Sequence, residues 1–147
     1  MTIATATRQD NYVFECSGAQ VRAHCRHLAT VVTVRGEIDA LNFEPVSEYL
    51  RRFILASNPV VLDMSDVVHF AAAGIALLSV FDDECRAAGV EWTLVASPAV
   101  LEMLGERGDQ DDEMFPVTRS VQEALRDLAN AIVIRRQMVL PLIKKTA

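Results

Sequence analysis

Apolar and polar positions along the 147-residue chain switch between two periods. Residues 12–16 predict a short strand. Residues 20–26 alternate, with Val21, Ala23 and Cys25 on one side and Arg22, His24 and Arg26 on the other, the period of a half-buried strand. Thr30-Val31-Val32-Thr33-Val34 is β-branched throughout and predicts another strand, which Gly36-Glu37-Ile38-Asp39 ends. The period then changes. Asn42 offers a helix N-cap, with Glu44 and Pro45 in the first turn, and Val46, Tyr49, Leu50 and Phe53 form an apolar stripe toward about Ala56.

Val60-Val61-Leu62-Asp63-Met64 is almost continuously apolar, as suits a central strand covered on both faces. Residues 65–73 read as a turn, and a second helix begins near Ala73 or Gly74. Gly74, Leu78, Phe81, Cys85 and Ala88 share its inner face, Ser79, Asp82, Asp83 and Arg86 its outer face, and Gly89 its end. Residues 90–96 predict a strand. Ser97 and Pro98 open a short helix with Val100, Leu101 and Leu104 on its apolar side. An acidic loop over 105–113 and a short strand over 114–117 follow. Ser120 and Glu123 match a capping box for a helix from 121 to at least 131, burying Val121, Ala124, Leu125 and Leu128.

This alternation predicts an α/β fold with a mixed, mostly parallel sheet of four to five strands and about four helices. Residues 1–11 are a loose N-terminal segment, 12–130 the domain, and 131–147 an apolar and basic extension. In that extension Ile132, Val133, Ile134, Met138, Val139, Leu140, Leu142 and Ile143 either fold back over the protein's own sheet or offer a surface for a homodimer.

Composition narrows the function. A hydrophobic fraction of 51% excludes disorder, and a formal net charge of −6 argues against nucleic acid as a partner, because phosphates need clustered Lys and Arg. No apolar run approaches the about 20 residues that span a bilayer. The start lacks the pattern of a signal peptide, and the odd cysteine count fits a reducing cytoplasm. Cys16, Cys25 and Cys85 have no metal or redox spacing, and His24 and Cys25 point to opposite sides of one strand. No nucleophile elbow and no phosphate-binding glycine loop occur, so neither an enzyme nor a cofactor is expected.

Two segments carry a resemblance. One is Val32-Thr33-Val34-Arg35-Gly36-Glu37-Ile38-Asp39-Ala40. The other runs Val60-Val61-Leu62-Asp63-Met64-Ser65-Asp66-Val67-Val68-His69-Phe70-Ala71-Ala72-Ala73-Gly74-Ile75. Together they resemble the STAS domain, the fold of bacterial anti-sigma factor antagonists and of sulfate-transporter cytoplasmic tails, over about residues 20–130. The family pattern has Gly-Glu-Leu-Asp at the first position and Leu-Asp-Leu-Ser followed by Asp-Ser-Ser/Thr-Gly-Leu at the second.

The resemblance implies a partner, an anti-sigma factor of the histidine-kinase ATPase fold or another regulatory protein. In the family that kinase phosphorylates a serine at the start of the second helix and so ends the complex. Here the aspartate position is Ala71, the serine position Ala72 and the adjacent hydroxyl position Ala73, so the phosphosite is degenerate. Ser65 and Ser79 do not align with it. The contacts that the resemblance implies are Asp39, Ser65, Asp66, Ala71, Ala72, Ala73, Gly74 and Ile75, with Asp82 and Asp83 on the exposed helix face. A redox-responsive or oligomer-forming scaffold is the alternative reading.

Overall fold

Six strands lie side by side in chain order: β1 (Val13–Cys16), β2 (Ala19–Cys25), β3 (Thr30–Ile38), β4 (Val60–Phe70), β5 (Trp92–Ala96) and β6 (Val117–Thr118). The computed structural model describes residues 13–26, 28–55, 58–108 and 115–146, giving the backbone alone for 106–108 and 135–146. β1, β2 and β3 form an antiparallel meander, and β3 to β6 run parallel. Each parallel pair needs a crossover, supplied by α1 (Phe43–Leu55), α2 (Ala72–Ala88) and α3 (Pro98–Gly108). α4 (Val121–Thr146) follows β6. The sheet has one strand more than the upper expectation, the short pieces β1 and β6 forming its edges.

The two faces of the sheet are covered unequally. Val32, Val34, Leu62, Met64 and Leu94 pack on one face against Val46 and Leu50 of α1, Leu77 and Leu78 of α2 and Val100 of α3. All ten are fully buried, and such side chains contribute about 1.5–3 kcal/mol each. On the other face Ala124 and Leu128 of α4 cover Ala29, Val31, Val61 and Val95. Residues Gln20, Arg22, Thr33 and Arg35 alternate with buried neighbours and so point to this second face, beyond the α4 patch.

β4 is longer than predicted. Residues 65–70 are strand, not turn, up to Phe70. Thr33 pairs with Asp63 but Arg35 with Asp66, and Gly36 pairs with Val67 but Glu37 with His69. Each step puts one extra residue into β4, which is a β-bulge. The bulges leave Ser65 and Asp66, and then Val68 and His69, exposed in consecutive pairs, while Val67 and Phe70 stay buried. Broken alternation of that kind looks like a turn in sequence. β3 likewise continues through Gly36 to Ile38. Gly36 has φ +97°, and a Cβ there would overlap the Gly18 carbonyl, so only glycine fits this crossing of β2 and β3.

The helices follow their predicted signals with local departures. α1 buries Val46, Tyr49, Leu50 and Ile54, with Phe53 half-buried. Ala88 is exposed rather than buried at the end of α2. Ser97 Oγ accepts the Val100 N–H at 3.2 Å, but Leu101 is 50% exposed. α3 extends to Gly108, so the acidic segment begins as helix, and residues 109–113 lie outside the described ones. Ser120 Oγ accepts the Glu123 N–H at 3.0 Å, while Glu123 reaches the N–H of Arg119, one residue before the expected one. α4 runs through Thr146 without a break at residue 131, with Val133 and Ile134 exposed. Among the described residues no helix is long and apolar enough to cross a membrane.

Candidate functional site

The last rung of the parallel ladder sets the position of the alanine turn. Ile38 pairs with Phe70, and the Ala71 N–H donates to the Ile38 carbonyl at 2.9 Å. Ala71 is extended (φ −87°, ψ 176°), and α2 begins at the next residue without a side-chain cap. Ala72 is exposed, while Ala71 and Ala73 are half-buried. The first N–H groups of a helix lack intrahelical partners and carry the positive end of its dipole. The tip of α2 is therefore apolar in its side chains and electropositive in its backbone. Gly74 is buried with the Phe70 ring against it, and a Cβ there would overlap that ring. The space beside Gly74 is thus taken by a side chain from β4.

The structure gathers only part of the predicted contact set. Ala71, Ala72, Ala73 and Gly74 share the tip of α2. Ile75 does not offer itself to a partner: it is 7% exposed and belongs to the core, because α2 buries a wide face between the sheet and α1. Asp39 lies at the same end of the sheet, where its Oδ1 accepts the N–H groups of Leu41 at 2.9 Å and Asn42 at 3.3 Å. It shapes the β3–α1 loop. Ser65 and Asp66 sit in the bulged part of β4, away from the tip of α2. The Ser65 hydroxyl donates to Asp63 Oδ1 at 2.7 Å, and Asp66 forms an ion pair with Arg35 at 3.6 Å. Asp82 accepts the Trp92 Nε1–H at 2.9 Å and Arg86 at 2.8 Å, so it braces α2 against β5. Asp83 is exposed, but at 1.5 Å per residue it and Asp82 lie roughly 15 Å along the axis from Ala72.

Three residues at this end escaped the sequence reading. Asn42 is fully buried and does not cap α1 with its side chain. Its Oδ1 accepts the Asp39 N–H at 3.0 Å, and its amide donates to the carbonyls of Glu37 at 2.9 Å, Ser17 at 3.1 Å and Cys16 at 3.4 Å. It thereby binds the β1–β2 turn to the β3–α1 loop. Leu41 is 81% exposed and Val68 65%. Leu41 lies in the β3–α1 loop and Val68 in the bulged end of β4, three residues before Ala71, and both present apolar surface. Nothing in periodicity marks such residues, because exposure of a leucine depends on what else covers the loop.

The cysteines differ sharply. Cys25 is exposed, Cys16 half-buried and Cys85 buried. Burial pushes the Cys85 thiol up from 9.0 to about 12, with Asp82 and Glu84 adding to the rise. Only the thiolate is nucleophilic. Iodoacetamide at pH 8 should therefore alkylate Cys25 quickly and spare Cys85 until the protein unfolds, as read by peptide mass spectrometry. Because the folded value lies above the unfolded one, the stability that Cys85 contributes is intact below pH 9 and is lost as the pH rises toward about 12. Among the described residues no group of three His, Cys, Asp or Glu side chains is placed to hold a metal.

Known proteins share this fold. The STAS domain family model matches residues 20–124. The chain is 58% identical over 146 residues, covering 98% of itself and 92% of the relative, to osmosensory protein A of Mycobacterium tuberculosis. An anti-sigma factor antagonist from Mycobacterium paratuberculosis superposes with TM-score 0.67 at 22% identity, over 76% of this chain and 94% of that one. The antagonist SpoIIAA in its unphosphorylated form gives TM-score 0.59 at 15% identity, over 75% and 96%. The two solved structures share the fold, and the family match and the 58% identical relative go further: this chain belongs to the STAS domain family.

Proposed function

We propose that the chain is a non-enzymatic interaction domain of the cytoplasm. It acts as an anti-sigma factor antagonist that serine phosphorylation at α2 does not switch. Its partner is an anti-sigma factor of the histidine-kinase ATPase fold, and the contact is centred on Ala71, Ala72 and Ala73. The observation that carries this reading is the exposed, uncapped start of α2 at Ala72, the position that the resemblance aligns with the family's phosphosite. In a switchable antagonist a phosphate adds close to two negative charges and a bulky group at the contact. Each 1.4 kcal/mol of lost complementarity weakens binding about tenfold. With no hydroxyl in the turn, the complex persists while ATP is present. The name of the 58% identical relative supports use of this contact in the response to osmotic change.

The test mixes the protein with the ATPase-fold anti-sigma factors of its host and radiolabelled ATP. The expected result is a stable complex and no label on this chain, whereas Ala72→Ser takes up label. Failure of every such anti-sigma factor to bind overturns the reading, and so does labelling of the parent protein.

A further inference from the structure

The part of the second sheet face that no described residue covers carries a cluster unconnected with the α2 tip. Four strands, β1 to β4, contribute to it in register. Glu15, Gln20, Arg35 and Asp66 form one cross-strand row, and Val13, Arg22, Thr33 and Asp63 form the next. His24 lies one pleat further along β2, opposite Val31. A cleft of about 210 Å³ opens among Val13, Gln20, Arg22, His24, Thr33, Arg35 and Asp66.

The charges in this cleft are unbalanced. The chain is acidic at −6, yet this cleft is lined by Arg22 and Arg35 against the single carboxylate of Asp66, an excess of one positive charge, with His24 beside them. Arg22 has no acid partner among the described residues. Arg35 reaches Asp66 only loosely, at 3.6 Å with both side chains more than half exposed. Arg22 and Arg35 occupy diagonal positions on neighbouring strands, where like charges repel. Glu15 and Asp63 stand in the same rows but do not line the cleft, and their carboxylates accept from the Gln20 amide at 3.0 Å and the Ser65 hydroxyl at 2.7 Å. Thr33 places a hydroxyl directly opposite Arg22 and two residues before Arg35 on the same face.

The geometry points to a site for a compact phosphate-type oxyanion. Arg22, Arg35 and Thr33 all line the cleft, and an anion seated among them takes charge-assisted hydrogen bonds from the two guanidiniums and the hydroxyl. It also removes the repulsion between the arginines and takes Arg35 from Asp66. Clefts for drug-sized ligands measure about 300–1,000 Å³, so this one is too small for a whole nucleotide and suits the anionic group alone. The group is supplied either as free phosphate or on a phosphorylated side chain of another protein.

The test is a ¹H–¹⁵N titration of the full chain at constant ionic strength with inorganic phosphate, with a phosphoserine peptide, with its unphosphorylated form and with chloride. Saturable shifts confined to residues 20–24 and 33–35, with phosphate and not with chloride, are expected. Arg22→Gln and Arg35→Gln should each weaken binding at least tenfold, while Arg126→Gln on the exposed side of α4 leaves it unchanged. Both arginines are exposed, so their replacement spares the fold, which circular dichroism confirms. Tighter binding of the phosphopeptide than of phosphate assigns the anion to a partner protein, and equal or weaker binding assigns it to free phosphate. Absence of saturable shifts, or shifts that persist in both variants, overturns the site.

Discussion

Asn42→Ala should lower the stability of the folded chain by about 3 kcal/mol and its Tm by about 10 °C. The change would disconnect four backbone atoms at once. The side chain is fully buried and meets one N–H and three carbonyls. A hydrogen bond contributes about 1 kcal/mol net, and a buried group left unpaired costs about 1–3 kcal/mol. The three carbonyls come from the β1–β2 turn and the end of β3, so the turn loses its tie to the sheet. Asn42→Asp preserves the volume but sets a carboxylate against three carbonyl oxygens. It should be at least as destabilising as alanine. Urea unfolding with an unchanged m-value measures both. A loss below about 1 kcal/mol for Asn42→Ala, or a neutral Asn42→Asp, would show that the network does not hold the turn.

Asn42 also shows where sequence reading stops. As a polar residue one step ahead of a helix it has the local signature of an N-cap, and α1 does begin at Phe43. Its actual partners are 3, 5, 25 and 26 residues away, and the distant ones exist only once β1 and β2 have folded beside β3. The strands and helices themselves were legible because burial imposes their periods. Val21 of β2 and the stripe Val46, Tyr49 and Leu50 of α1 are buried as their spacing predicts. The second half of β4 was not legible. Two bulges replace its alternation by exposed pairs, and the same residues read as a polar turn. Ile75 failed for a related reason. A 3.6-residue stripe assumes that one neighbour covers a helix, whereas α2 meets both the sheet and α1 and buries Ile75 as well as Gly74 and Leu78. The position of the alanine turn survives these errors, since the β4–α2 junction is fixed by the Ala71–Ile38 hydrogen bond whatever the length assigned to the strand.

That junction separates binding from folding. Ala72→Glu should weaken the proposed complex with an anti-sigma factor at least a hundredfold, about 2.7 kcal/mol. Placed in a contact, the carboxylate must give up its water, and an unpaired buried charge costs several kcal/mol. Folding should move the other way. Ala72 is exposed at the first residue of an uncapped helix, where a negative side chain is favoured by about 0.3–1 kcal/mol. The urea midpoint is thus expected to stay level or rise while affinity, measured by calorimetry, collapses. Ala72→Ser is the matching control, since a hydroxyl is small and uncharged and should bind within threefold of the parent when ATP is absent. If Ala72→Glu also bound within threefold, the partner would not contact the start of α2. The loss of the hydroxyl from this turn would then have no bearing on how the complex is controlled.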